Sequence, residues 1–157
     1  MTDKQIFYLT EEGFQSIKKE YETLENIRAS KVKGEAPKIL ESEDLNPEYV
    51  SFQEDMDLLE TRLVELENVL KNVKLIKIPP RKIQNIVQLG AVVTLQIDKN
   101  DMDELKIVGT LEANPSLGKI SDESPVGRAL MGRAVGDEVI VSSPVKTIYK
   151  IKKVKYS

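Results

Sequence analysis

The sequence predicts an α+β protein in which a long antiparallel α-helical coiled-coil hairpin precedes an antiparallel β-sheet domain with one short helix. Three observations predict this fold: heptad spacing of apolar residues in the first half, alternating patterns in the second half, and Pro79-Pro80 between them. Because proline ends helices and stiffens linkers, we divide the chain into a hairpin domain at residues 1–78 and a β-rich domain at residues 79–157.

The first predicted helix starts at Thr10, which can cap a helix N-terminus. Glu11 and Glu12 then lie in the first turn, where acids interact favourably with the helix dipole. Apolar residues follow at steps of three and four, which is a heptad seam. The seam consists of Phe14, Ile17, Tyr21, Leu24 and either Ile27 or Arg28. Gly34 and Pro37 predict a bend or a frayed end to this arm.

The second predicted helix has a stricter seam, with steps of four and three that continue without a break. Its members are Phe52, Met56, Leu59, Leu63, Leu66, Leu70 and Val73. The narrow apolar stripe favours a coiled-coil hairpin over two helices packed in a globular bundle. Arms of roughly 25–30 residues would be about 35–45 Å long at the helical rise of 1.5 Å per residue.

The second half of the chain alternates apolar and polar residues, as strands do. We predict strands over Ile86–Ile97, Glu104–Leu111, Asp137–Ser142 and Thr147–Lys155, and a short helix over Val126–Met131. The last strand carries a basic run of Lys150, Lys152, Lys153 and Lys155. Such a run is either a solvated strand face or a surface close to RNA or to an acidic partner.

The composition of the 157 residues excludes several classes of function. The chain has no Cys and no His, which excludes disulfides, thiolate metal sites, cysteine nucleophiles and Ser-His-Asp catalysis. No complete catalytic set remains, so we do not expect an autonomous enzyme. The sequence contains no apolar run of 18 residues and no signal-peptide core at its start, so we expect a cytoplasmic protein without membrane contact.

Charge divides unevenly between the two halves. Residues 1–78 hold 11 Lys and Arg against 17 Asp and Glu, a net of -6, whereas residues 79–157 hold 12 against 9, a net of +3. Such asymmetry is typical of halves with separate tasks, although solvated faces can produce it by chance.

The segment between the two predicted helices is acidic. It contains Glu41, Glu43, Asp44 and Glu48 and no basic residue. Magnesium prefers oxygen ligands of this kind, so the cluster is a candidate site for a cation at the tip of the hairpin. The alternative is an exposed acidic turn in which Asp44 or Asn46 caps the second helix.

The chain resembles the Gre family of bacterial transcript cleavage factors over nearly its whole length, and four segments carry the resemblance. They are Leu9-Thr10-Glu11-Glu12-Gly13-Phe14, Asn46-Pro47-Glu48-Tyr49, Ile120-Ser121-Asp122-Glu123-Ser124-Pro125-Val126-Gly127-Arg128-Ala129-Leu130-Met131-Gly132, and Val135-Gly136-Asp137-Glu138-Val139. The third segment is the most specific match.

The resemblance implies an N-terminal coiled coil and an FKBP-like C-terminal domain that docks on the β′ coiled coil of RNA polymerase. It implies a monomer whose hairpin enters the secondary channel and meets the 3′ end of the nascent RNA. Tip carboxylates then help to hold a second Mg²⁺ while the polymerase cuts backtracked RNA. Asp44 and Glu48 match acids of the family's tip, and Glu43 and Glu41 lie beside them; among these four candidate tip residues, Asp44 and Glu43 are the expected metal ligands. The matching docking residues are Asp122, Glu123, Ser124 and Pro125.

The tip departs from the family pattern Gly-Asp-Leu-x-Glu-Asn-x-Glu-Tyr. Here Asp44-Leu45 is followed at once by Asn46, so two residues are missing, one of them the second acid of the pair. Glu43 or Glu41 is a candidate substitute. The leading hypothesis is an elongation factor that stimulates cleavage. The alternatives are a regulator that occupies the channel without cleavage, and a coiled-coil adaptor with no role at the polymerase.

Overall fold

The computed structural model describes residues 5–34, 47–142 and 145–156. The chain divides into two compact units: Met1–Gln5 with Phe14–Val73, and Ile6–Gly13 with Lys74–Ser157. The predicted division at residues 78 and 79 thus differs from the structure at two places. The segment from Lys74 onward already belongs to the second unit, and so does Ile6–Gly13, which the sequence pattern had assigned to the helical domain.

The first unit is an antiparallel pair of helices, α1 (Glu11–Gly34) and α2 (Pro47–Lys71). Arg62 Nε lies 2.9 Å from Glu20 Oε1, and Lys31 Nζ lies 3.8 Å from Asp55 Oδ2. The later residue of α1 thus pairs with the earlier residue of α2, which means that the two helices run antiparallel. This confirms the predicted helical hairpin.

The predicted apolar seam accounts for most of the residues that α1 and α2 withdraw from solvent. Phe14, Ile17, Tyr21 and Leu24 in α1 are half-buried, and in α2 Leu63 and Leu66 are buried. Ile27, at the predicted continuation of the first arm, is 40% exposed. Two details differ in α2: Val69, outside the predicted seam, is buried, and Val73, its predicted last member, lies in a strand.

The second unit contains a five-stranded mixed sheet, a small two-stranded sheet and a short helix. Its elements are β1 (Phe7–Leu9), β2 (Val73–Leu75), β3 (Val92–Gln96), β4 (Met102–Val108), β5 (Lys119–Ser121), α3 (Pro125–Leu130), β6 (Glu138–Val141) and β7 (Thr147–Lys155). The large sheet has the order β5-β4-β3-β7-β6, and β1 pairs with β2. Three pairs in the large sheet are antiparallel as predicted, but β4 and β5 are parallel, which corrects the prediction of a purely antiparallel sheet.

One face of the large sheet carries the hydrophobic core. Alternate residues of the strands point into it, and Leu130 of α3 joins them. The fully or almost fully buried members are Val87, Ala91, Val93, Leu95, Ile107, Leu130, Val139, Val141 and Ile151.

The four predicted strands and the predicted helix all exist; β7 has the predicted bounds, and the bounds of the others differ. The largest difference is the predicted strand Ile86–Ile97, of which only Val92–Gln96 is β3. The apolar residues before it form turns instead: Ile86 makes an isolated bridge to Ala134, and Gly90 has a φ of 91°. Because L side chains rarely adopt such a φ, the chain turns at Gly90 rather than extending.

Candidate functional site

The described part of the predicted tip is the start of α2. Pro47 opens the helix, where its missing N–H costs nothing, and Glu48 lies exposed in the first turn, next to the positive end of the helix dipole. One turn further along, Gln53 Nε2 donates to Tyr49 Oη over 3.0 Å. The predicted tip residues Glu41, Glu43 and Asp44 lie outside the described residues. Across the ranges that the structure does describe, no three acidic side chains come together as a metal site.

The predicted docking segment forms the turn from β5 into α3. Ser124 caps the helix: its Oγ accepts from Gly127 N over 3.1 Å, and Pro125 takes the first helical position. The same hydroxyl donates to Ser121 O over 2.6 Å. Ser124 is therefore half-buried and already bonded within the chain, so its role is to shape the turn.

The turn also needs a glycine at position 127. A Cβ placed there would lie 2.0 Å from Ser121 O, which is far inside contact distance. The backbone of α3 thus passes directly over β5, and this close approach fixes where Glu123 and Pro125 are displayed.

Glu123 and Pro125 are the exposed members of the predicted docking set. Thr110 Oγ1 donates to Glu123 Oε2 over 3.1 Å, and Glu123 N donates to Ser121 Oγ over 3.0 Å, so the side chain is oriented although it faces solvent. Asp122 is half-buried, and its N–H donates to Val108 O over 3.1 Å. The four predicted residues are contiguous, but only two present their side chains openly.

A second set of contacts fixes the start of α1; the sequence predicted the Thr10 cap among them but not the bonds to Glu112. Glu112 accepts two hydrogen bonds from Thr10: Thr10 N to Oε2 at 2.7 Å and Thr10 Oγ1 to Oε1 at 2.5 Å. Thr10 Oγ1 also accepts from Gly13 N over 3.1 Å, as a helix cap does. A Cβ at Gly13 would lie 2.2 Å from Glu112 Oε1, so a larger residue there would displace the Glu112 carboxylate from its place beside Thr10. We call these three residues the Glu112 clamp.

Arg62 and Tyr156 are among the ionisable groups whose surroundings shift their pKa values upward. The Glu20 carboxylate, which accepts a hydrogen bond from Arg62 Nε, raises the pKa of the Arg62 guanidinium. Burial raises the pKa of the Tyr156 phenol, whose Oη donates to Ile86 O over 2.5 Å and accepts from Gln88 N over 2.9 Å. Neither group lies in the predicted tip or docking segment, so both belong to the scaffold.

None of the helices in the described part of the chain combines the length and the apolar character needed to cross a bilayer.

Comparisons with known proteins match the two halves separately. Residues 7–75 match the family model for the N-terminal part of transcription elongation factors, and residues 82–156 match the model for the C-terminal part of GreA/GreB elongation factors. The transcription elongation factor GreA of Thermomicrobium roseum is 37% identical over 142 residues, which is 89% of this chain and 90% of that protein. GreA of Bacillus subtilis is 37% identical over 148 residues, 92% of each chain. Among solved structures, GreA factor homolog 1 of Thermus thermophilus has 24% identity over 96% of this chain and 99% of that one, with a TM-score of 0.43.

The helical hairpin and the β-rich unit match these two models almost end to end. Together they define a transcription elongation factor. The chain belongs to the GreA/GreB family.

Proposed function

We propose that the chain binds bacterial RNA polymerase, inserts its helical hairpin into the secondary channel and stimulates cleavage of backtracked RNA. The observation that carries the proposal is an acidic run at residues 41–48 of the sequence, just before and within the first turn of α2, in a member of the GreA/GreB family with two antiparallel helices. The chain would act in the cytoplasm as an accessory factor that completes the polymerase's own catalytic site.

The dimensions of the helices suit this task. α1 has 24 residues and α2 has 25, so each is about 36–38 Å long at 1.5 Å per residue. Two paired helices are narrow, and they can therefore deliver a side chain to a recessed site that a globular domain cannot enter. Glu20, Arg62 and the seam between the helices hold the pair together.

The residues at the tip have suitable chemistry for magnesium. Glu41, Glu43, Asp44 and Glu48 supply carboxylate oxygens, and the chain holds no Cys or His that would favour a softer metal. We assign Asp44 and Glu43 as the ligands for an ion shared with the polymerase, and Glu41 and Glu48 as assisting acids. The second Mg²⁺ supplies Lewis-acid chemistry for cutting the phosphodiester bond. Glu48, fixed on the first turn of α2, would orient water beside the RNA 3′ end.

The exposed pair Glu123 and Pro125 is the proposed contact with the β′ coiled coil. Glu123 contributes a charge whose orientation Thr110 fixes, and Pro125 contributes a rigid apolar surface at the first position of α3. Asp122 and Ser124 support this surface from below through their bonds to Val108 and Ser121.

The cleavage assay uses stalled, backtracked polymerase complexes with magnesium and compares the wild type with Asp44→Ala. We expect rapid RNA shortening by the wild type and a loss on the order of 100-fold in the variant, since misplacing a catalytic group by an ångström can cost that much. Asp57→Ala, an exposed acid further along α2, is the matched control and should cleave normally. Slowed RNA extension without cleavage would instead identify a channel-occupying regulator, and no effect without binding would identify an adaptor.

The docking assay compares the affinity of the wild type for RNA polymerase with that of a double variant that carries Glu123→Lys and Pro125→Ala. Ser124 is retained because its hydroxyl caps α3. We expect affinity to fall at least about tenfold, or 1.4 kcal/mol, with an unchanged melting temperature. Asp101→Lys reverses an exposed charge in the loop between β3 and β4 and serves as the control. Unaltered binding of the double variant would move the docking surface elsewhere.

A further inference from the structure

The large sheet has a second face, opposite the core, that carries a concentration of lysines. Val93, Leu95 and Ile151 point into the core with no exposed surface, so their strand neighbours point outward. The strand register then fixes which outward residues lie side by side, and it brings together lysines that are as much as 49 positions apart in the chain.

The outward residues form cross-strand rows. The first row runs Lys119, Lys106, Val92 and Lys155 across β5, β4, β3 and β7. The second runs Glu104, Thr94 and Lys153, and the third runs Met102, Gln96, Lys150 and Glu138. Three of the four positions in the first row are therefore lysines, and β7 adds one lysine to each row.

We call the five outward lysines, Lys106, Lys119, Lys150, Lys153 and Lys155, the basic face. Within these rows the register turns two acids outward, Glu104 and Glu138, so positive charge is in excess. Lys152 is also exposed, at the irregularity where the β3–β7 register shifts. At the margin of the face, Glu11 and Glu12 line a cavity of about 380 Å³ together with Lys106, and they reduce the positive potential there.

We propose that the basic face binds the phosphate backbone of duplex DNA without reading its sequence. Lysine ammonium groups are point charges that suit phosphate oxygens. With strands about 4.8 Å apart and a rise of about 3.3 Å per residue, the lysines extend over roughly 14 Å across the sheet and 17 Å along β7. This is an area rather than a single line of charges, so it fits two phosphate strands better than one.

The residue types on the face favour a duplex over a single strand. Single-stranded nucleic acids are usually held by aromatic side chains on which the bases stack, and the three rows contain no aromatic residue. Nor does any helix project from these rows to enter a major groove, so contact with base edges is not expected. The interaction is expected to be weak and dependent on salt, because the whole chain has a net charge of -3.

The test measures binding of the full chain to a fluorescent 30-base-pair duplex over a series of salt concentrations. We expect Lys150→Gln, Lys153→Gln and Lys155→Gln together to weaken binding and to reduce the slope of log K against log salt by up to about 2.7, since each lost contact with B-DNA lowers it by about 0.9. Lys18→Gln, Lys19→Gln and Lys33→Gln remove the same charge from exposed positions of α1 and should leave the slope unchanged. The conservative substitutions Lys150→Arg, Lys153→Arg and Lys155→Arg together should retain binding.

Several results would overturn the proposal. One is an unchanged slope in the β7 variant, with a circular dichroism spectrum and melting temperature that match the wild type. Another is an equal loss of binding in the α1 control, because the effect would then come from net charge alone. Tighter binding of a 30-nucleotide single-stranded RNA through the same lysines would assign the face to single strands. If a polyglutamate peptide bound through these lysines and DNA did not, the basic face would be assigned to an acidic protein.

Discussion

At the scale of single residues, the scaffold depends on polar groups that bond to backbone atoms distant in the sequence. Tyr156 is the clearest case, because its hydroxyl both donates to Ile86 O and accepts from Gln88 N. These two bonds tie the end of β7 to the turn that precedes β3. No local pattern marks such a tyrosine, since its partners lie 70 and 68 positions earlier in the chain.

Replacing Tyr156 with Phe should reduce the free energy of unfolding by about 1–3 kcal/mol, because two backbone groups lose their partner. The pH dependence should change too. Burial raises the pKa of the folded phenol above its unfolded value near 10, so the unfolded state ionises first and stability falls as pH rises from about 10 through the folded pKa. Denaturant titrations between pH 8 and 11 should show a smaller alkaline decline in Tyr156→Phe.

Tyr8→Phe is the control for this experiment, since it removes a hydroxyl from a side chain that is 38% exposed. It should leave the free energy of unfolding within about 0.5 kcal/mol of the wild type. Equal losses in the two variants would contradict the role given to the Tyr156 bonds.

At the scale of elements, the seam of α2 separates buried from exposed leucines on one helix. Leu63 is 4% exposed, whereas Leu58, five positions earlier, is 71% exposed. Leu63→Asp should destabilise the hairpin by at least the 2–5 kcal/mol typical of removing a buried leucine side chain, with a further cost for the buried charge. Leu58→Asp should change little. Helicity measured by circular dichroism during thermal melting distinguishes the two, and similar curves would refute the seam.

Elements with many periods were predictable from sequence, and very short ones were not. The heptad spacing predicted α1 and α2 because each continues for about seven turns, and alternation predicted β7 over its full nine residues. β1, β2 and β5 have three residues each, which is too few for a period to show. The parallel pairing of β5 with β4 depends on the path of residues 109–118, and that path has no periodic signal.

The candidate site was predictable to a similar extent. The docking segment was found as four contiguous residues, but the pattern did not indicate that Ser124 bonds inward while Glu123 and Pro125 face solvent. Thr10 was predicted to cap α1, but its bonds to Glu112 were missed, because the two residues are 102 positions apart and Glu112 by itself looks like an ordinary surface residue. The tip acids Glu41, Glu43 and Asp44 remain predictions.

At the scale of the whole molecule, the second unit takes residues from both sides of the hairpin. Leu9 has no exposed surface, and Gly109 lies so close to Tyr8 O that a Cβ would come within 2.2 Å. A fragment of residues 79–157 lacks this strand, so we expect a lower melting temperature than in the intact protein. A synthetic peptide of residues 5–13 added in excess should raise it, and a peptide with Leu9→Asp should not. A fragment as stable as the whole chain would contradict the two-sided organisation.

The Glu112 clamp has a consequence for the order of events on the ribosome. Proteins made vectorially usually fold their early segments first. Here Thr10 leaves the exit tunnel about a hundred residues before its acceptor, Glu112, is synthesised. The two long helices can pair and β1 can meet β2 while translation continues, but the N–H and hydroxyl of Thr10 lack their acceptor until β4 and the turn after it emerge. The anchoring of the start of α1 thus waits for the second unit, and the segment around Thr10 is open to chaperones and proteases in the interval.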